Sequence, residues 1–379
     1  MDPYDIAEIF HKMELDLIAS QRRTLMLHMA WEHEEGFEWE QWQTRKLAAI
    51  REYQKANAAI IAGKTEEINT ETEKLLTAEF KKSSVKTNGV FQKVSEFGQF
   101  VGIPGLDDRN FFGANQEKLD ALIKSVTSDF AKAEYSALRL MDDQYRKIIF
   151  RSQAYFATGS VTLPQAVDLA SKDFLTQGLR CIEYKNGNMV NISSYAEMAL
   201  RTQQARTSAV AQGSVMDDWG QHLIILSALG STCPLCSPWQ DIVLIDDVYA
   251  NGTQAEGDYP LLSTAIAAGL GHPNCRHLPG SPWFEGINTP PEPPDAESVR
   301  KNYDSEVKQR EIERNIRKNK RLETGSLDPD NQAKYGAKVK ECEQQMREHI
   351  RENPQLHRQL ARESANFTVQ VPPKAPANP

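Results

Sequence analysis

The amino-acid sequence predicts an α+β protein that is mostly helical, with long N- and C-terminal helical arms around a small α+β module rich in cysteine and histidine. Three observations predict this. Apolar residues recur at three-four spacing through residues 1–157, and a charged helical pattern returns over 296–365. Between 158 and 287 the pattern breaks into short apolar runs, an Asn-Gly turn and glycine-rich loops. The chain has 379 residues, enough for two or three domains, but only 40% are hydrophobic and the mean hydropathy is −0.55. That balance suits an elongated helical chain better than one large core.

The N-terminal helical domain, 1–157, opens with Asp2 and Pro3 as a cap and first-turn pair. Ile6, Ile9, Phe10, Met13 and Leu17 then mark one buried face. Trp31, Trp39 and Trp42 sit among Glu32, Glu34, Glu35, Glu38 and Glu40. Such tryptophans are either an aromatic docking surface or ordinary helix packing. Long half-polar helices cannot enclose a large core alone, so their stripes need each other or a partner. Ile6, Phe10, Met13, Trp39 and Trp42 are therefore the candidate partner-binding residues. A second helical run covers Leu47 to about Val94, the segment Phe97–Gly105 reads as a loop, and helix returns from Glu117 to Tyr155.

In the module, 158–287, Thr162-Leu-Pro164 opens a short helix. Cys181 to Ile192 forms a hairpin pattern around Asn186-Gly187. Ser193 or Ser194 can cap a helix from Tyr195 to about Gln212, and His222–Ser227 and Ile242–Ile245 are strand candidates. A Pro-rich linker spans 288–295, charged helices span 296–365, and 366–379 is an extended or flexible tail.

The formal net charge is −8, so the whole chain does not bind nucleic acid through its net charge. A local basic run from Lys308 to Arg321 offers Arg314, Arg317, Lys318, Lys320 and Arg321 as candidate DNA contacts. Glu311, Glu313 and Glu323 interleave with it, the pattern of a solvated or partner-facing helix. Arg201-Thr202 and Arg206-Thr207 read either as a phosphate clamp or as arginines that lock the fold. The N-terminus lacks the pattern of a secretion signal and no stretch has the apolar length of a membrane span. Assembly in a reducing cytoplasm, without membrane insertion, is the expectation.

Chemistry concentrates in two runs, Cys233-Pro-Leu-Cys236 and His272-Pro-Asn-Cys275-Arg276-His277. Two loop knuckles of this kind build a tetrahedral zinc site. Cys233, Cys236 and Cys275 supply three ligands, and His277 the fourth, with His272 as the alternative. Four protein ligands would close the shell and make the site structural rather than catalytic. Packed thiols without metal, or a disulfide formed late, remain the other readings. Asp241, Asp246 and Asp247 lie close in sequence but also read as solvated loop acids. Neither a nucleophile elbow, a Walker loop, a dinucleotide fingerprint nor a His-Glu-x-x-His run occurs, so a conventional enzyme is not expected.

Several words then occur in order: Arg201-Thr202, Cys233-x-x-Cys236-x-x-Trp239-Gln240, Tyr259-Pro260, Ala265-Ile-Ala-Ala-Gly269, the His272–His277 run, Tyr303, and Gln309-Arg310 with Arg314-Asn-Ile-Arg317. This order resembles the bacteriophage minor capsid protein 2 family, which looks like a branch of the Mu F-like head-morphogenesis proteins. The resemblance covers roughly residues 1–365 and is strongest from about 195 to 320. It implies a virion component in several copies, bound to the portal or major capsid protein, that supports head assembly or DNA delivery. An effector or metal-dependent enzyme packaged in the virion is the alternative. The resemblance does not decide whether metal is bound.

Overall fold

The structure is a computed structural model. It describes residues 3–35, 39–96, 108–184, 186–226, 228–289 and 295–363, without the side chains of 4, 31–35, 39–46, 108–114, 157 and 361. The side chains of Trp31, Trp39 and Trp42, the loop at 97–105 and the tail at 366–379 thus lie outside what is described.

Eight helices and five short strands follow one another among the described residues. The helices are α1 (Pro3–Glu35), α2 (Trp39–Ser95), α3 (Asp108–Ala157), α4 (Leu163–Gln177), α5 (Ile192–Asp218), α6 (Leu262–Ala267), α7 (Ala296–Gly325) and α8 (Pro329–Glu352). The strands are β1 (Arg180–Glu183), β2 (Met189–Asn191), β3 (Leu223–Ile225), β4 (Val243–Ile245) and β5 (Ser281–Pro282). The expected class, mostly helical α+β, is the observed one.

The compact units do not follow the expected segments. One contains Met1–Ile6, Asn69–Asp129 and Glu197–Glu306; the other contains Ala7–Ile68, Phe130–Ala196 and Val307–Pro379. Helices α1, α2, α3, α5 and α7 each give residues to both units.

The second unit is helical apart from the β1–β2 hairpin. Phe10, Met13, Leu17, Tyr53, Phe130 and Tyr145 are all at most 2% exposed. Phe10 meets Phe130 edge-on at 4.9 Å, and Tyr53 stacks on Tyr145 at 4.7 Å. Ile6, Phe10 and Met13, expected at a partner surface, are 0% exposed within the chain itself. The correction has a simple cause: a three-four stripe requires burial, and this chain supplies the burying surface from its own helices.

A buried polar node sits in the same unit. Glu14, 0% exposed, accepts the backbone N–H of Leu179 at 2.9 Å and the Asn191 side-chain amide at 2.5 Å. Arg321, 6% exposed, donates to the carbonyls of Leu175 and Thr176 at 3.0 and 3.1 Å. Asp168 accepts the backbone N–H groups of Leu327 and Asp328 and so fixes the break between α7 and α8. The helix α4 begins as expected: Thr162 and Gln165 form a reciprocal capping box. The start of α5 differs. The Asn191 side chain, not Ser193 or Ser194, accepts the Ser193 N–H at 3.0 Å, so the helix begins at Ile192.

The first unit holds a three-stranded antiparallel sheet in the order β4-β3-β5. Leu223 pairs with Ile245 and Ile225 with Val243. Side chains alternate between faces. Ile224, Leu226 and Leu244 join a core with Phe91, Met216 and Phe284, while Leu223, Ile225 and Ile245 pack with Trp283 on the other face. Apolar cover on both faces explains why these strands read as continuous apolar runs. Cys236 belongs to the first of these cores, with Cys233 and Cys275 packed against it.

Candidate metal centre

Two β-turns, each with proline in the second place, build the site. In Cys233-Pro234-Leu235-Cys236 the Cys236 N–H donates to the Cys233 carbonyl at 3.2 Å, and a 3-10 turn, Ser237–Trp239, follows. In His272-Pro273-Asn274-Cys275 the Cys275 N–H donates to the His272 carbonyl at 2.9 Å. Proline at the second position presets φ in each turn. Asn274 has φ +68°, the left-handed conformation that the third position of a type II turn requires and that asparagine tolerates. Its N–H donates to the Thr202 hydroxyl on α5 at 3.2 Å. Each turn therefore presents its first and fourth side chains together.

The two turns face each other. Cys233 Sγ lies 3.0 Å from His272 Nε2, and Cys236 Sγ lies 3.6 Å from Cys275 Sγ. First position meets first, and fourth meets fourth. His277 joins from beyond the second turn: its Nδ1 lies 3.7 Å from Cys275 Sγ. Among the described residues, Cys233, Cys236 and His272 form one group with donor atoms within 4.8 Å of one another, and Cys236, Cys275 and His277 form another. The shared Cys236 is 0% exposed. Tetrahedral zinc with bonds of about 2.0–2.3 Å separates its ligand atoms by about 3.5–4 Å. The donor chemistry suits that ion, and the Cys236–Cys275 and Cys275–His277 separations match it, while the 3.0 Å between Cys233 and His272 is tighter than it requires.

Both histidines have their second nitrogen engaged. His272 Nδ1 lies 2.8 Å from the Pro273 carbonyl, which directs Nε2 at Cys233. His277 Nε2 lies 3.4 Å from the Thr232 hydroxyl, which donates to the Leu229 carbonyl and accepts the Gln240 side-chain amide at 2.9 Å. Anchoring of this kind orients metal-binding imidazoles. The His277 backbone N–H also points at Cys275 Sγ, at 3.5 Å.

Charge in the cluster is unevenly held. The thiol of Cys236, donating to Cys275, lowers the Cys275 pKa to about 3 against the effect of burial, with His277 adding to it. The same contact, then burial, raises Cys236. Burial opposes ionisation of Cys233, but the Cys236 N–H and the His272 ring overcome it and lower its pKa. Arg276, inside the second run, donates to both carboxylate oxygens of Glu306 on α7 at 2.9–3.0 Å. Thr232 and Glu306 were not singled out by the sequence, and Gln240 and Arg276 appeared there only as letters of longer words. Thr232 and Gln240 flank the first knuckle, but the Glu306 partner is 30 residues away and has no sequence signal.

The remaining candidates separate. Asp246 is 2% exposed and accepts the N–H groups of Val248 and Tyr249; burial raises its pKa to about 6. Asp247 accepts the Ser263 N–H, and both acids are turn builders rather than metal ligands. Arg201 pairs with Glu197 at 3.4 Å on its own helix. Of the basic run, Arg321 is buried and bound to backbone carbonyls, which removes it as a DNA contact. Arg317 donates to the Arg362 carbonyl and Lys320 pairs with Glu343 at 3.6 Å. Arg314 is exposed and Lys318 half-buried. The interleaved acids read as the mark of a solvated or partner-facing helix, whereas Arg317, Lys320 and Arg321 are engaged by the chain itself.

Residues 2–351 match the family described as phage minor capsid protein 2. The chain belongs to the phage minor capsid protein 2 family. The family places this minor capsid protein among the structural components of the phage virion. Neither a curated protein nor a solved structure matches it. Among the described residues no helix is long and apolar enough to cross a membrane.

Proposed function

We propose that this minor capsid protein is a low-copy head component, made in the host cytoplasm, that binds the portal or major capsid protein and supports head assembly or DNA delivery. Its Cys/His centre holds a structural zinc through Cys233, Cys236, His272 and Cys275. One observation carries the structural reading: two three-donor groups, Cys233–Cys236–His272 and Cys236–Cys275–His277, share the buried Cys236, and each histidine has its second nitrogen already engaged by a backbone or hydroxyl partner. Such a set fills a tetrahedral shell with protein atoms. The zinc would staple the turn at Pro273-Asn274 to the knuckle at Pro234-Leu235, beside a sheet only three strands wide.

Structural zinc contributes on the order of 10 kcal/mol of folding free energy, so removing two ligands is expected to unfold the module. The Cys233→Ser, Cys236→Ser double variant is expected to lose bound zinc, become protease-sensitive and be missing from purified heads. If it instead assembles normally and the phage fail only after DNA entry, the centre acts chemically in the host and the packaged-effector reading replaces this one.

A further inference from the structure

Cys236 Sγ and Cys275 Sγ lie 3.6 Å apart, although the residues are 39 positions apart in the sequence. A disulfide needs about 2.05 Å, so closing the pair takes an approach of about 1.5 Å, within reach of side-chain rotation. Backbone hydrogen bonds inside each proline turn hold the two cysteines in facing positions. The third sulfur is placed differently: Cys233 faces His272 Nε2 at 3.0 Å. Access differs too. Cys275 and His272 line an open pocket, whereas Cys236 is 0% exposed and packs in the core with Phe91, Leu226 and Leu244. A soluble oxidant therefore meets Cys275 first and finds Cys236 behind it, the arrangement of an attacking and a resolving cysteine. Cys181 and Cys342 belong to the other compact unit, where they contact the Ala133 carbonyl and the Asn319 amide.

We infer that Cys236 and Cys275 are an oxidisable pair, which closes to a disulfide when hydrogen peroxide reaches the centre. This rests on the zinc reading above only for the state before oxidation. The Cys275 sulfur attacks one peroxide oxygen: an S–O bond forms, the O–O bond breaks, and the thiol proton leaves with the released hydroxide as water. The Cys236 sulfur then attacks that sulfenic sulfur: the S–S bond forms, the S–O bond breaks, and the second hydroxide takes the Cys236 proton. Two thiols lose two electrons and one peroxide becomes two waters. Where zinc is bound it departs in place of the two protons, and hydroxide replaces water. The disulfide joins the same two turns that the zinc joined. The centre thus stays stapled in the oxidising surroundings of a released virion, where free thiols do not persist.

The test treats the purified, folded full chain with hydrogen peroxide and then blocks the remaining thiols with iodoacetamide in denaturant. Digestion with trypsin and a protease that cuts before aspartate leaves Cys233 and Cys236 on a peptide ending at Gln240, and Cys275 on one ending at Arg276. Mass spectrometry is expected to find Cys236 joined to Cys275, with Cys181, Cys233 and Cys342 alkylated. Dithiothreitol is expected to reverse the link. Cys233→Ser is expected to keep it and Cys275→Ser to abolish it, and the wild-type map decides the matter even where a variant fails to fold. A Cys233–Cys236 link as the main product, Cys275 carried to sulfinic acid without a link, equal oxidation of Cys181 and Cys342, or no reaction each overturns the inference. A chelating dye in the same reaction reports zinc. Zinc released in step with the link supports both readings, and a link formed in protein that held no zinc overturns the zinc reading alone.

Discussion

Replacing Glu14 with glutamine tests how this chain secures its second unit. The carboxylate is completely buried, yet its pKa falls from the ordinary 4.5 to about 2. Burial alone would raise it. The His11 contact, the Arg321 charge and the Leu179 N–H together outweigh that. A pKa depressed in the folded state contributes stability above the unfolded value, and that contribution is lost as pH falls through the folded value. The window here runs from 4.5 down to about 2. A drop of that size is worth about 3 kcal/mol at neutral pH and less than half of that at pH 3. Glutamine keeps the shape and an oxygen for the Leu179 and Asn191 donors, but it puts an N–H₂ where Oε2 faced His11 and Ser193, and it leaves Arg321 buried without its counter-charge. Urea unfolding followed by circular dichroism should therefore show Glu14→Gln about 3 kcal/mol less stable at pH 7, with the gap shrinking by more than half at pH 3. A gap that stays constant across this range would refute the reasoning, because it would mean that the carboxylate is not the ionised hub described here.

Two further substitutions probe packing near the two centres. A Cβ at Gly178, where φ is +67°, would lie 2.3 Å from Glu14 Oε1, so Gly178→Ala should lower stability by about 1–3 kcal/mol or more in the same urea assay. Phe91 is 0% exposed between Trp219 and Phe284, and Phe91→Ala should lose about 3–5 kcal/mol, with a change in Trp219 fluorescence reporting the repacked core.

Much of the fold was legible because helices announce themselves by spacing. The α2 and α3 runs, the Thr162 capping box and the Asn186-Gly187 hairpin each follow from local rules that the structure obeys. What spacing cannot say is which surface buries a stripe, and so Ile6, Phe10 and Met13 were assigned to a partner. The break at Gly325 to Pro329 was readable in its Gly, Asp and Pro punctuation but was absorbed into one charged stretch. The strand β5 is two residues long and ends in proline, too short for any periodic signal. At the site, the ligand types and the two knuckles were visible in the sequence. The choice between the histidines was not, because it depends on turn geometry and on which ring nitrogen is already engaged.

That geometry favours His272 over His277, the reverse of the order the sequence suggested. Both knuckles are proline turns that offer side chains at positions one and four, and His272 holds position one of the second turn. It then faces Cys233, position one of the first, at 3.0 Å, while Cys275 faces Cys236 at 3.6 Å. Bound zinc would need only these four donors, with Cys275 drawn in to join the Cys233–Cys236–His272 group. His277 lies two residues past Cys275 and already serves that sulfur through its backbone N–H. Its ring, 7% exposed and tied to Thr232, fits a supporting residue that packs against the ligand set. Supporting residues around a metal typically cost about 10–100-fold in affinity when removed. His277→Ala should therefore keep zinc with affinity reduced within that range, whereas His272→Ala should reduce it further and expose the knuckles to thiol-reactive dye. Zinc retention by His272→Ala together with loss from His277→Ala would reverse the assignment and place the ion in the group formed by Cys236, Cys275 and His277.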